Sequence, residues 1–172
     1  MIRLVLPLFV LLSCATVVQA RLDETPAECE ARYGVVIEKR PALQKLSDPE
    51  MLVFTKNGVT IDVEFHEGKA WRITYQKRGM DAEEIESVLM GEASGSGWSK
   101  PVKVAGQVFR TSADHSRVAL IVPNLHPDSP VALVLATRDF ANANRALFDD
   151  KQAELVSQGV LQQRLSGKGT DF

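Results

Sequence analysis

The chain has 172 residues, with 20 basic and 22 acidic side chains and a formal net charge of −2 at pH 7. Charges of both signs are scattered along it, and no basic cluster is interleaved with aromatic residues. We therefore predict no nucleic-acid binding, because that class depends on a basic surface that meets the phosphates.

The first 20 residues have the three-part layout of a secretory signal. Arg3 supplies a basic start, Leu4–Leu12 form an unbroken apolar run, and Val18-Gln19-Ala20 place small residues where a signal peptidase reads them. The apolar run is too short for a membrane span of about 20 residues, and no second run follows. We predict cleavage after Ala20 and an exported protein, periplasmic or secreted, with no integral membrane span once the signal is removed.

A lipid anchor at Cys14 is the alternative. Leu11-Leu12-Ser13-Cys14 resembles a bacterial lipobox, but the following Ala15–Val18 stays apolar where a lipid tether is normally polar. Cleavage after Ala20 leaves 172 − 20 = 152 residues, enough for one domain that buries roughly 68–70 % of its unfolded surface. Cys29 is then the only cysteine, and we predict a buried helical residue rather than a nucleophile.

Two helices are predicted from matching start signals. Thr25 and Asp81 are each followed three residues later by a glutamate, Glu28 and Glu84, which is the spacing of a capping box. Pro26 suits the first helical position because it lacks an N–H. Gly34 predicts the end of the first helix. The predicted buried positions of the second helix are Ile85, Val88 and Leu89.

The segment 51–77 predicts a three-stranded antiparallel meander. Asn57-Gly58 is typical of a two-residue type I′ hairpin turn. Residues 35–50 are expected to hold an extra strand, Val35–Glu38, and then a loop that ends at Asp48-Pro49. The turn pairs Lys56 with Val59, Phe54 with Ile61 and Leu52 with Val63.

The second hairpin needs a different turn. A two-residue turn at Glu67-Gly68 would set polar residues against the apolar row, which a half-buried sheet rejects. We therefore predict a three-residue loop, His66–Gly68, with Gly68 in the left-handed conformation. The expected pairs are Val63–Trp71, Ile61–Ile73, Val59–Tyr75, Asp62–Arg72 and Thr60–Thr74. A register shifted by two residues is the rival, since it keeps the core face but loses Asp62–Arg72.

A second strand-rich segment follows the second helix. Strands are predicted at 107–112, 117–123 and 130–138, and the last two are nearly continuous apolar runs that need cover on both faces. The two helix caps lie 81 − 25 = 56 residues apart. The fold class is therefore predicted as α+β, a degenerate tandem repeat of one helix plus a three-stranded antiparallel meander.

The predicted domain covers residues 21–165. Its repeat units are 24–80 and 81–138, a C-terminal helix covers 139–164, and residues 166–172 form a disordered tail. The helical prediction rests on an apolar stripe that includes Phe140, Leu147, Phe148 and Leu155.

The order of a signal, a helix and a meander resembles two exported architectures, the small lipoprotein of the outer-membrane assembly machine and the repeat of the β-lactamase inhibitor proteins. The start "RLDETPAECEARYG" also resembles a group of uncharacterised exported bacterial α+β proteins. The chain departs from the first two by having one helix per repeat where they often have two. The resemblance implies a non-catalytic binding role and transfers no functional residue.

Four groups of residues are candidate sites. Asp62, Glu64 and His66 alternate along one strand and could ligate a divalent metal, although a solvated face is the simpler interpretation. Asp114-His115-Ser116 has the residue types of a hydrolase triad, but adjacent side chains point apart and a turn is favoured. Trp98 is either an exposed anchor or, more often, a core residue at a strand start. Met51 and Val53 fall on the outer face, as scattered surface residues or as a contact for the C-terminal helix or a second subunit.

We therefore predict an exported, non-enzymatic protein that binds an unidentified protein partner or supports an envelope assembly. No catalytic, cofactor or metal residue is assigned, and the oligomeric state is left open. The alternative is a small hydrolase or metal-dependent enzyme that uses the Asp62–His66 or His115 regions.

The C-terminal helix is predicted to pack on the second meander rather than project into solvent. Hydrogen exchange tests this, because a docked helix protects the amides of Leu147–Leu155 in the isolated protein. Complete exchange of those amides within seconds would contradict docking and indicate a segment that folds only on a partner.

Overall fold

The computed structural model describes residues 21–93, 97–104, 106–122 and 130–144. The protein is α+β, and all the strands among these residues form one antiparallel sheet in the order β1-β2-β3-β4-β8-β7-β6-β5. No helix in the described part of the chain is long and apolar enough to cross a membrane. The elements in chain order are α1 (Pro26–Tyr33), β1 (Glu38–Pro41), β2 (Glu50–Lys56), β3 (Val59–His66), β4 (Lys69–Lys77), α2 (Ala82–Glu92), β5 (Val102–Val104), β6 (Gln107–Thr111), β7 (Arg117–Val122), β8 (Val131–Thr137) and α3 (Arg138–Ala143).

Both predicted helix starts are confirmed. Thr25 and Asp81 each accept a hydrogen bond from the backbone N–H three residues on, and Glu28 and Glu84 each accept one from the cap residue's N–H. The two capping boxes satisfy N–H groups that have no partner inside the helix. Gly34 is the C-cap of α1, as predicted.

The main core lies between one face of the sheet and the helices α1 and α2. Cys29 and Tyr33 come from α1, and Val88 and Leu89 come from α2. The sheet contributes alternate residues, as the period of two requires. These are Leu52, Phe54, Ile61, Val63, Phe65, Ile73, Tyr75, Ala119, Leu133 and Leu135.

The β2–β3 hairpin has the predicted register. Asn57 and Gly58 have φ of 53° and 76°, as a type I′ turn requires. Lys56 pairs with Val59, Phe54 with Ile61 and Leu52 with Val63.

The predicted register of the β3–β4 hairpin is wrong by two residues, and the rival register, which keeps the core face but loses Asp62–Arg72, is the one observed. Ile61 pairs with Tyr75, Val63 with Ile73, Glu64 with Arg72, Asp62 with Thr74 and Thr60 with Gln76. The predicted three-residue loop His66–Gly68 is wrong, because His66 pairs with Lys69 and the turn is Glu67-Gly68. Glu67 and Gly68 have φ of 52° and 71°, so Gly68 has the predicted left-handed conformation. Face matching is restored by a bulge, because Phe65 pairs with Ala70 and Trp71 is the extra residue. The pair that replaces Asp62–Arg72 is the buried Glu64–Arg72.

The strands β6, β7 and β8 lie within the ranges predicted for the strand-rich segment after α2. β5 was missed, since three residues after Pro101 are too few for an alternating pattern. β1 covers Glu38–Pro41 instead of Val35–Glu38. α1 and α2 are thus each followed by four strands rather than the predicted three.

The opposite face of the sheet carries a second apolar cluster. α3 packs there on β4, β7 and β8, and its Phe140 lies against Trp71. Other members are Phe109, Val118 and Ala136. Met51 and Val53 are buried, so their interpretation as scattered surface residues is wrong. The predicted helix 139–164 is described only up to Asn144, the C-cap of α3, and its docking and the tail 166–172 lie outside the described residues.

Replacement of Gly68 by valine tests the turn. No atom lies within 4 Å of a Cβ built on Gly68, so the cost comes from the left-handed backbone and not from a clash. We expect Gly68→Val to lower the free energy of unfolding by about 1–2 kcal/mol, and Gly68→Asn to lower it by less, since asparagine tolerates this conformation. Urea denaturation measures both, and equal values for the two variants would contradict the argument.

Candidate functional site

The loop between β1 and β2, residues 42–49, is fixed by backbone hydrogen bonds and not left free. The Ala42 N–H donates to the Pro49 carbonyl at 3.1 Å and closes the loop at its base. The Ser47 N–H donates to the Gln44 carbonyl within the loop, and the Asp48 N–H donates to the Phe65 carbonyl of β3 at 2.7 Å. Loop 42–49 is therefore docked on the β3–β4 hairpin.

Asp48 joins the loop to the hairpin turn. Its two carboxylate oxygens accept hydrogen bonds from the Glu67 N–H at 3.1 Å and the Gly68 N–H at 2.8 Å. A tight turn otherwise leaves such N–H groups to water. The contact fixes the tip of the hairpin and the end of the loop together.

Glu64 is the buried anchor of loop 42–49. Its side chain is fully buried on β3. One oxygen accepts from the Leu43 N–H at 2.9 Å and lies 3.2 Å from the Arg72 guanidinium, and the other accepts from the Ser47 hydroxyl at 2.9 Å. A buried carboxylate is tolerated only when such partners replace water.

An aromatic row links the loop to α3. The His66 Nδ1 lies 2.6 Å from the Leu46 carbonyl, and a carbonyl can only accept, so His66 donates through Nδ1. The His66 ring stacks on Trp71 with centroids 4.4 Å apart, and the Trp71 indole N–H donates to the Ser47 hydroxyl. The Trp71 and Phe140 rings are perpendicular, with their centroids 5.1 Å apart, and the Arg72 guanidinium lies over the Phe140 ring.

The anchored loop presents two leucines to solvent. Leu43 is 65 % exposed and Leu46 is 56 % exposed, although the backbone of both is bonded inward. Lys45 between them is also exposed. Loop 42–49 therefore combines a fixed backbone with an outward apolar tip.

The structure does not bring the candidate metal ligands together as a site. Glu64 is engaged by Arg72 and the loop, while Asp62 lies 3.2 Å from the Gln76 amide and 3.9 Å from Arg40. Burial raises the pKa of Asp62 above its ordinary value. Within the described ranges, no group of three or more His, Cys, Asp or Glu side chains could hold a metal ion.

Asp114-His115-Ser116 is a turn between β6 and β7. The Asp114 carboxylate accepts from the Ser112 hydroxyl at 2.6 Å and from the backbone and hydroxyl of Ser116. These hydrogen bonds lower the pKa of Asp114 to about 2, and the one from Ser112 has the largest effect. The Ser116 hydroxyl donates to the aspartate, so the three residues serve the turn geometry and not the relay of a triad.

Two other residues agree with their simpler interpretations. Cys29 is fully buried, and desolvation raises the pKa of its thiol to about 12, so it is not a thiolate nucleophile. Trp98 packs on the main core, and its indole N–H donates to the Leu89 carbonyl at the end of α2.

Loop 42–49 is not predicted as a site from the sequence, because each of its anchoring residues is of an ordinary type for its position. Glu64 sits at a polar position of an alternating strand, and Ser47 lies in a predicted loop. The sequence feature that could have indicated the loop is the pair Leu43 and Leu46 between Pro41 and Pro49, where no predicted strand or helix would bury apolar side chains.

No family model matches the chain, and no curated protein matches it. Among solved structures, a cysteine-rich secretory protein from Staphylococcus aureus subsp. aureus Mu50 is similar, with 8 % identity and a TM-score of 0.41. The similarity covers 70 % of this chain and 44 % of that one, so it spans less than half of that protein. A likeness at this level carries no argument about fold or function.

Removal of the Glu64 carboxylate should release loop 42–49. Glu64→Ala leaves Arg72 buried without its partner and two loop donors unsatisfied, so we expect a loss of about 3–5 kcal/mol in the free energy of unfolding. Trypsin cleavage after Lys45 should become faster under native conditions. Glu50→Ala is the control, because its ion pair with Lys39 is exposed and should contribute less than about 1 kcal/mol. Unchanged cleavage at Lys45 in Glu64→Ala would show that Glu64 does not hold the loop.

Proposed function

We propose that the protein is an exported, non-enzymatic binding protein that contacts a protein partner through loop 42–49. The observation that carries the proposal is the combination of two exposed leucines with a backbone fixed by Glu64, Asp48 and His66. Exposed apolar residues on a mobile loop would not indicate a binding surface, whereas exposed apolar residues on a fixed backbone are typical of one.

The physical support is preorganisation. A binding loop that is already ordered does not lose backbone freedom when a partner arrives, so more of the contact energy appears as affinity. Full burial of one leucine side chain contributes about 1.5–3 kcal/mol. Leu43 and Leu46 could therefore supply the apolar centre of a modest interface.

The surroundings of the leucines suit the rim of such an interface. Lys45, Glu67 and Lys69 are exposed on the loop and the adjacent hairpin, and they carry both signs of charge. Protein interfaces typically place an apolar centre inside a polar rim. The mixed charge favours a protein partner over a strongly anionic surface.

The proposal includes export and a repeated architecture. Export is supported by the layout of residues 1–20. The degenerate tandem repeat is supported by α1 preceding β1–β4, α2 preceding β5–β8, and the mirrored strand order about the β4–β8 junction. In this view each repeat contributes one helix and four strands to a scaffold, and the first repeat carries the contact loop.

Site-specific cross-linking in the native envelope tests the contact. A photoreactive residue at position 46 should give a discrete adduct with one protein, and the same residue at position 90 should not. Met90 is the matched control because it is an exposed apolar residue, 72 % exposed on α2.

The partner found in this way is then titrated against purified variants. We expect Leu43→Ser with Leu46→Ser to weaken binding at least tenfold, a loss of about 1.4 kcal/mol, and Met90→Ser to leave it unchanged. Neither change should move the urea midpoint much, since the side chains are exposed. Equal affinity of the partner for the double variant and for the unsubstituted protein would refute the proposal. It would also be refuted if the purified protein held stoichiometric metal and had hydrolase activity that the double variant retained.

A further inference from the structure

The segment after the predicted cleavage point is part of the folded core. Leu22 is only 2 % exposed and belongs to the main core cluster. The Asp23 N–H donates to the Ala70 carbonyl, and the Ala70 N–H donates to the Glu24 carbonyl, both at 2.7 Å. β8 pairs with β4 only from Arg72 onward, so residues 23–24 bond β4 just before that point.

Glu92, the last residue of α2, contacts this N-terminal segment. Its side chain is fully buried, and Oε2 accepts from the Leu22 N–H at 3.3 Å and from the Arg117 guanidinium at 2.9 Å. Arg117 also lies 3.6 Å from the Asp23 carboxylate. Among the described residues, the second oxygen of Glu92, Oε1, has no hydrogen-bond partner.

An unfilled acceptor on a buried carboxylate is costly and calls for a donor. The Arg21 nitrogen precedes the Leu22 nitrogen by one residue, and one residue spans at most about 3.6 Å. Because the Leu22 nitrogen lies 3.3 Å from Glu92 Oε2, the Arg21 nitrogen can lie no more than about 7 Å from that oxygen.

Signal-peptide removal would change the chemistry of that nitrogen. The peptidase adds one water across the Ala20–Arg21 bond, Ala20 leaves with the carboxylate, and the Arg21 amine takes up a proton. An α-amino group has a pKa of about 7.7–8.0, so the new group is mainly an ammonium with three N–H donors at neutral pH.

We infer that Glu92 binds the N-terminal ammonium that signal-peptide removal creates at Arg21, so that processing completes the junction of the N-terminal segment, α2 and β7. The inference rests on the export part of the proposed function, and it concerns a place remote in sequence from loop 42–49. The precursor, which has an amide at that position, lacks this ion pair and folds less stably than the mature protein.

Two forms of the mature chain test the inference. One begins at Arg21, and the other carries two additional residues, which move the ammonium up to about 7 Å along the chain. We expect the folding equilibrium constant of the first form to be about tenfold higher, because hydrogen bonds to charged groups are among the stronger ones. Glu92→Gln should abolish the difference, and Glu83→Gln, an exposed carboxylate on the same helix, should preserve it.

The titration of Glu92 provides an independent readout that does not need the variant to fold. Burial raises the pKa of Glu92 to about 7, opposed by Arg117 and by the Leu22 N–H, with smaller effects from Glu24 and Arg21; Asp23 and Tyr33 are the other titratable groups nearby. Carbon-13 NMR should show a pKa near this value in the extended form and a lower pKa in the form that begins at Arg21. Equal stabilities, equal pKa values, or a native N-terminus other than Arg21 by mass spectrometry would each overturn the inference.

Discussion

The antiparallel pairing of β4 with β8 joins the two halves of the sheet. Ile73 pairs with Leu135 and Tyr75 with Leu133, and all four side chains are buried in the main core. Without this pairing both strands would be edges, and the helices α1 and α2 would cover separate small sheets. Arg72 pairs with Ala136 at one end of this ladder and with Glu64 of β3 on its other side, and its guanidinium lies over the Phe140 ring of α3.

The charges at Glu64 and Glu92 differ in how completely they are compensated. Glu64 has Arg72 and two neutral donors on its two oxygens, whereas Glu92 has two donors on one oxygen and none among the described residues on the other. Removal of one partner of a buried ion pair is strongly destabilising, because it leaves the other charge buried without compensation. Glu64 connects β3 to loop 42–49, and Glu92 connects α2 to the N-terminal segment and to β7.

Local signals in the sequence predicted what depends on local chemistry. The two capping boxes, the Asn57-Gly58 turn and the strands after Gln107 each rest on a few neighbouring residues and were correct. The β3–β4 register was missed because a bulge at Trp71 repairs the face mismatch as well as a longer turn does. The loop anchor was missed because Leu43 and Glu64 are 21 residues apart in the sequence, and because β1, which leads into the loop, was predicted at Val35–Glu38 and lies at Glu38–Pro41.

The two edges of the sheet have a consequence for self-association. β1 has four residues, all exposed, three of them charged and the last a proline that cannot donate to a ladder, while β5 has only three residues. Short, charged and proline-ended edges offer little template for a further strand. Crowding should therefore not drive this eight-stranded sheet to grow edge to edge into fibrillar aggregates.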